Sequence, residues 1–426
     1  MIRRALLGLV VLLPAISLAG PLEDEIHRKR AEQLHIGSQL GAAEPALLFR
    51  MAELYWEEAR YFLLQHDDAA SEQSAKAAVA LLSQLLERFP TWDRADEALY
   101  SLGQGLLDTG DDQRAQLAFK RLVDRHPQSA LAPVASLRLG QYLLAKSNGR
   151  ADWLQRAAEK LTVAARNPAL KTEATLALGH CQLGLLAFED ALTSFEAVAK
   201  SDATRRAEAR AAFVRTWVRS GQGTTGVRTA FTRLSDSVAD RRVLEHQLAD
   251  RFHADGFDKE AAVVWQALIT EDPKTGEAFG DQVSIVDAVM RAGRRQVTLQ
   301  QARKLADFAP LASTADLERG EKLISSLAVA WHQECRKTHE DSCLDAPREL
   351  YEVYLKLWPQ TARAYELRFF LAELLFAEQE FQQAAASYRQ VVDHDIACRQ
   401  SGRCAAGRFF EAAALSEIQA REQANR

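Results

Sequence analysis

Glycine and proline are scarce in this sequence, 21 and 11 residues of 426, well under the roughly 12% that the two make up in an average protein. That scarcity excludes a collagen-like or low-complexity chain and argues against a fold of many tightly turned strands. Cysteine is also sparse: five residues cannot scaffold a chain of this length with disulfides. Positive charge is not in excess. The 53 Lys+Arg against 58 Asp+Glu give a net charge of −5, so the basic footprint that phosphate binding needs is missing and nucleic acid is excluded as the main partner. No apolar run reaches the about 20 residues of a membrane-spanning helix. What the chain has is alanine, 73 residues, within a composition 47% hydrophobic and 26% charged. That is a globular composition biased to helix throughout.

The N-terminus reads as an address label. Arg3 and Arg4 precede an apolar run from Ala5 to Leu13, Pro14 breaks it, and Ser17-Leu18-Ala19 places small residues before Gly20. This order predicts a cleavable secretory signal over residues 1–19 rather than a first helix of the fold. Leu18-Ala19-Gly20 would suit a lipoprotein signal, but Pro21 stands where the lipid-bearing cysteine belongs, so no lipid anchor is expected.

The rest is periodic. Leu102-Gly103, Leu106, Gly110, Ala115, Phe119, Leu122 and Pro127 form one unit; Leu178-Gly179, Leu186, Ala191, Phe195 and Val198 repeat its order, as do Leu248-Ala249, Phe252, Gly256, Ala261, Trp265, Leu268 and Pro273. The small residue recurs as Ala78, Ala115, Ala157, Ala191, Val227, Ala261, Thr298, Pro347 and Ala384, at spacings of 37, 42, 34, 36, 34, 37, 49 and 37. A small residue lets two helices approach where they cross, and the aromatic four residues later shares its face. Prolines 90, 127, 168, 273, 310 and 359 then end the second helix of each unit.

This pattern resembles the tetratricopeptide repeat, a helix-turn-helix of about 34 residues. The resemblance implies an all-α, right-handed superhelical solenoid of about nine such repeats over residues 45–404. A mobile arm or capping helix over 20–44 would precede it and an amphipathic capping helix over 405–426, polar from Ser416 onward, would close it. More narrowly, Trp331-His332-Gln333-Glu334, Tyr351 to Tyr354-Leu355, Trp358-Pro359 and Arg368-Phe369-Phe370-Leu371-Ala372-Glu373 look like repeat proteins of myxobacterial cell envelopes, some of them parts of a gliding-motility complex. The middle repeats look like outer-membrane assembly and cell-division proteins of the periplasm.

Local disulfides, Cys335 with Cys343 and Cys398 with Cys404, are expected because the two couples would sit at turns on opposite edges of such a solenoid, while Cys181 reads as a buried small hydrophobe. His332, Cys335, His339 and Cys343 contain zinc-type ligands, but four ligands strung along one helix cannot close a tetrahedron, and no metal is expected. No Gly-x-Ser-x-Gly, His-Glu-x-x-His or phosphate loop occurs; Gly221 to Gly226 lacks the lysine and reads as a turn. No catalytic residue and no cofactor are predicted. In the family, first-helix positions beside the small residue face the concave groove. That carries over to Tyr100, Gln104, Gln141, His180, Leu183, Thr216, Arg219, His246, Asp250 and His253.

Together these features predict a non-catalytic periplasmic scaffold, its groove holding an envelope protein or peptide segment. An accessory or enzyme acting on envelope polymers and a metal-handling protein are the competing readings.

Overall fold

The structure is a computed structural model that describes residues 20–40, 44–338, 343–400 and 407–426; the predicted signal, His339 and Cys404 lie outside the described residues. It is all α. A leading helix, α1 (Gly20–Leu40), is followed by pairs: α2 (Pro45–Leu64) with α3 (Asp68–Arg88), α4 (Ala95–Asp108) with α5 (Asp112–Arg125), α6 (Ala132–Lys146) with α7 (Ala151–Ala164), and α8 (Lys171–Gly184) with α9 (Phe188–Ser201). Then come α10 (Arg206–Ser220) with α11 (Val227–Leu234), α12 (Val238–Ala254) with α13 (Asp258–Glu271), and α14 (Ala278–Arg291) with α15 (Arg295–Arg303). The short α16 (Leu305–Phe308) and a 3-10 turn at Ala309–Leu311 lead to α17 (Thr314–Thr338) with α18 (Asp345–Leu357) and α19 (Ala362–Ala377) with α20 (Phe381–Gln400). The last described helix is α21 (Phe410–Ala424). Among the described residues no helix is long and apolar enough to cross a membrane.

The chain divides into two compact units, Met1–Thr216 and Trp217–Arg426. In the first, the core runs through Leu48, Leu82, Leu99, Phe119, Leu122 and Leu139. In the second it runs through Phe279, Ile324, Leu350, Tyr351, Tyr354 and Tyr388. Each pair leaves part of its apolar face to be covered by the next, which is the solenoid principle.

All nine recurring small positions lie on second helices and all are buried. The geometry behind the period is visible at the first helix of each pair. A Cβ built on Gly103 would lie 2.5 Å from the Phe119 ring, and one on Gly179 would lie 2.7 Å from the Phe195 ring. The aromatic of the second helix therefore occupies the space that a side chain on the first would need. The two long spacings also have structural causes. Asn148 and Gly149, both at positive φ, form the wider turn before α7, and α16, the 3-10 turn and the 25-residue α17 fill the interval between Thr298 and Pro347.

The intra-repeat turns share one geometry. Gly110, Leu186, Gly256, Gly293 and Gln379 have positive φ, each five residues before the small position of its second helix. The N–H of the following residue then reaches back to the end of the first helix, as in Asp111 N to Leu106 O at 2.7 Å, Ala187 N to Gln182 O at 2.9 Å and Phe257 N to Phe252 O at 2.8 Å. Asp111 and Asp67 cap the helix that follows, each accepting a backbone N–H at 3.0 Å. Leu186 holds this left-handed conformation (φ 62°) with its side chain 61% exposed, so nothing rewards the strain. A left-handed L-residue costs roughly 1–2 kcal/mol, and glycine's extra unfolded-state freedom takes back about 0.4–1. Leu186→Gly is expected to stabilise the first unit by about 0.5–1 kcal/mol, read as a higher urea midpoint at unchanged slope.

The terminal helices differ. α1 docks on α2 through Leu34 against Met51 and Leu54, an Arg30–Glu57 ion pair at 2.6 Å and His27 stacked on Tyr61 at 4.2 Å. Its Glu25, Arg28, Lys29, Glu32 and Gln33 face water. α21 buries Ala413, Glu417 and Ala420, while Leu415 and Ile418 stand 59% and 56% exposed.

Candidate binding surface

In the first unit, the first helices carry a polar row. On α4, Gln104 Nε2 donates to the Tyr100 hydroxyl at 2.8 Å, and both side chains are half-buried. On α6, Gln141 Nε2 donates to Glu173 Oε1 of α8 at 2.7 Å while its carbonyl oxygen accepts from Arg138 Nη1 at 3.3 Å, so the amide bridges two repeats. On α8, half-buried His180 sits edge-on to the Phe195 ring at 5.1 Å. Burial and the neighbouring Arg215 guanidinium push its pKa below the ordinary value, against the pull of Glu208, so the imidazole is held neutral.

Two predicted groove residues are corrected by burial. Leu183 follows Gly179 by four residues and so shares the inward face that Gly179 presents to Phe195; it is buried. Thr216 is fully buried and its hydroxyl donates to Ala212 O at 2.8 Å within its own helix. The reason is a register shift. Gly221, the first left-handed residue after α10, stands six rather than five residues before Val227, in a turn with further left-handed glycines at 223 and 226. The outward position thereby falls on Arg215, which is exposed and acts electrostatically on His180. Sequence reasoning passed over Arg215, although the unusual length of the Gly221–Gly226 turn was the signal for it.

In the second unit, Arg219 and Asp250 are exposed. His246 of α12 lies between the carboxylates of Glu277, the residue just before α14, and Asp281 of α14, with Nε2 3.2 Å from Glu277 Oε2 and Nδ1 3.2 Å from Asp281 Oδ1. Burial by itself lowers an imidazole's pKa, but the hydrogen bonds and charges of Asp281 and Glu277 outweigh it and hold His246 above 6.5. Burial raises the Asp281 carboxyl. His253, about two turns further along the same face of α12, meets Asp258 at 2.6 Å and Asp287 at 3.0 Å, with Arg291 Nη1 3.0 Å from its Nε2. Both histidines thus tie successive repeats together.

The sign of the His246 effect is definite. With a folded pKa above the unfolded value, its stabilisation is fully present below pH 6.5 and is lost as pH rises through the raised folded value. The stability advantage of the wild type over His246→Gln, from urea melts at a series of pH values, is expected to be largest below pH 6.5 and to shrink above it.

Within the second unit a disulfide joins Cys335 and Cys343, with Cα atoms 5.7 Å apart. Cys335 lies on α17, which ends at Thr338, and Cys343 lies outside that helix, so the eight-residue rise of one continuous helix does not separate them. Both thiols of the four-residue zinc-type set are thereby consumed, and His332 Nδ1 lies 3.0 Å from the Tyr351 hydroxyl. Cys398 is disulfide-bonded, while Cys404, its expected partner, lies outside the described residues. Cys181 is fully buried, and burial pushes its thiol up to about 12. Among the described residues no group of three or more His, Cys, Asp and Glu side chains could hold a metal ion.

A family model described as the tetratricopeptide repeat matches residues 97–129, the segment that α4 and α5 occupy. That pair of helices is a tetratricopeptide repeat. The matched segment contains Gly103, Gly110, Ala115 and Phe119, the residues whose close approach and turn geometry set the period. Among solved structures, the chain is similar to a tetratricopeptide-repeat protein from Parabacteroides merdae at 15% identity and a TM-score of 0.35, covering 60% of this chain and 93% of that one. It is also similar to the C-terminal part of a repeat protein from Cytophaga hutchinsonii at 15% identity and a TM-score of 0.39, covering 61% of this chain and 98% of that one. No curated protein matches it in sequence. Tetratricopeptide-repeat solenoids serve as non-catalytic scaffolds for protein-protein interaction, and the paired helices of this chain have that architecture.

Proposed function

We propose that the chain is an exported scaffold of the bacterial periplasm that holds a peptide segment of an envelope protein along its first-helix face. The observation that carries this reading is the row Gln104, Gln141, His180 and Arg215, one polar group from each of four successive first helices. Amides and a guanidinium spaced along one face suit the alternating donors and acceptors of an extended backbone, and a neutral imidazole beside them offers one more of each. His246 and Asp250 supply similar chemistry on α12. Export is supported by the Arg3-Arg4, apolar, small-residue order of residues 3–19, and the envelope assignment by the resemblance of residues 325–395 and of the middle repeats to envelope proteins. Service in biogenesis or in a motility or secretion complex is a matter of which partner is held.

The test has two parts. Cell fractionation should recover the chain in the periplasm with Gly20 at its N-terminus; cytoplasmic recovery with residues 1–19 retained would defeat the export proposal. A pull-down from envelope extract should capture a discrete partner that Arg215→Glu combined with Asp250→Arg no longer holds. Capture that is indifferent to both reversals would remove the face from consideration.

A further inference from the structure

A cleft opens in the second unit between α13, the latter part of α14 and α15. Its volume is about 380 Å³, inside the roughly 300–1,000 Å³ that small-molecule sites occupy. Its walls are apolar: Ala262 and Val263 come from α13, and Ile285, Ala288 and Val289 from α14. Val263 is 54% exposed. Three hydrogen-bond donors join that lining. Lys259 and Arg294 are exposed, and among the described residues neither forms an ion pair. Gln301 accepts from Gln282 Nε2 at its side-chain oxygen, at 3.0 Å, which leaves its own amide N–H groups free to donate. Asp258, the carboxylate of the lining, is already held by His253 at 2.6 Å and lies 3.9 Å from Arg291.

The first unit has a cleft at the corresponding place, and its charges are answered. That cleft, about 540 Å³, lies between α3, α4 and α5, and its Lys76 stands two residues before Ala78 as Lys259 stands two before Ala261. Lys76, however, pairs with Glu72 at 2.6 Å. Asp111 holds the N-cap position of α5 that Arg294 holds on α15, and Arg114 lies 3.6 Å from it. We propose that the cleft of α13, α14 and α15 binds a free anionic amphiphile, a short aliphatic tail ending in a carboxylate. The apolar walls take the tail, and Lys259, Arg294 and the Gln301 amide take the head group. A neutral alcohol would suit the walls but leave both cations unanswered, and a cationic amphiphile would meet them as like charges. A protein partner buries about 800 Å² per side in a stable interface, of which such a cleft could be only a small part, whereas a small molecule can draw its whole contact from it. None of these residues belongs to the first-helix row, so the site is independent of that face.

The probes are octanoate, octan-1-ol and octyltrimethylammonium, alike in tail and different in head-group charge, each titrated calorimetrically into the full-length protein below its micellar range. Octanoate is expected to bind at least about tenfold more tightly than either of the others, its affinity falling with added salt. Lys259→Glu with Arg294→Glu should weaken octanoate at least about tenfold and turn the preference to the cation, with far-UV circular dichroism unchanged because both side chains are exposed. Ala262→Phe, which fills the cleft from its wall, should abolish binding of all three. Lys76→Glu in the first-unit cleft should leave octanoate binding as it is. Equal affinity for the three head groups, octanoate binding that survives the double reversal, or loss of it on Lys76→Glu would each overturn the proposal. Binding of a glutamate-flanked leucine peptide or of phosphatidylglycerol vesicles without binding of free octanoate would also overturn it, giving the cleft to a protein segment or to a membrane surface.

Discussion

Replacing Arg241 by alanine is expected to destabilise the second unit by about 3–5 kcal/mol, at the lower end of that range. Arg241 and Glu245, one turn apart on α12, are 6% and 4% exposed, and the guanidinium meets both carboxylate oxygens at 2.7 and 2.6 Å. Its other amino group reaches Glu271 of α13, which Arg228 of α11 also holds at 3.1 Å. The four charges join three helices of two successive repeats. Removing one cation leaves Glu245 buried with only Arg228, 3.8 Å away, to answer it, and that partial cover is why the lower end is expected. Urea melts of the wild type, Arg241→Ala and Arg241→Lys distinguish the cause. Lysine keeps the charge but cannot fork to both glutamates, so it should recover only part of the loss.

Phe119→Ala is expected to cost the first unit about 3–5 kcal/mol, the usual loss for emptying a buried phenylalanine site. The ring is fully buried and fills the space over Gly103, so cavity formation there strikes the crossing that defines the repeat. The reverse change makes the argument sharper. Gly103→Ala gains about 1 kcal/mol of helix propensity but sets a methyl 2.5 Å from the ring, where overpacking costs about 1–3 kcal/mol, so the single variant should lose stability. In a Phe119→Leu background the methyl has room, and the same Gly103→Ala change should become neutral or stabilising. A double-mutant cycle that shows simple additivity would mean that the glycine and the ring do not share the space.

The parts of this molecule that a reader could take from its sequence are those that repeat locally. Ala115, Phe119 and Gly110 lie within one helix-turn-helix, and every feature that fixes their roles recurs a period later, so helix order and pairing follow from spacing alone. Arg215 escaped that reasoning because a single extra residue in the Gly221–Gly226 turn rotates α10 and hands the outward position from Thr216 to its neighbour. Counting back from Val227 cannot register that rotation; the left-handed glycines reveal it. Leu183 stands four residues after Gly179 and therefore shares its inward face, a spacing already present in the sequence. The ion cluster around Arg241 was out of reach for another reason: Glu271 stands 30 residues away and is brought in only by packing of α13 on α12.

Site-specific photo-crosslinking tests the central claim most directly, by comparing Gln141, His180 and Asp250 on first helices with Leu117, Val163 and Val263, exposed positions of second helices. The account predicts that the first-helix positions trap one common partner from envelope extract while the second-helix positions trap none. Crosslinks to that partner from Leu117, Val163 and Val263, with silence at the other three, would contradict it.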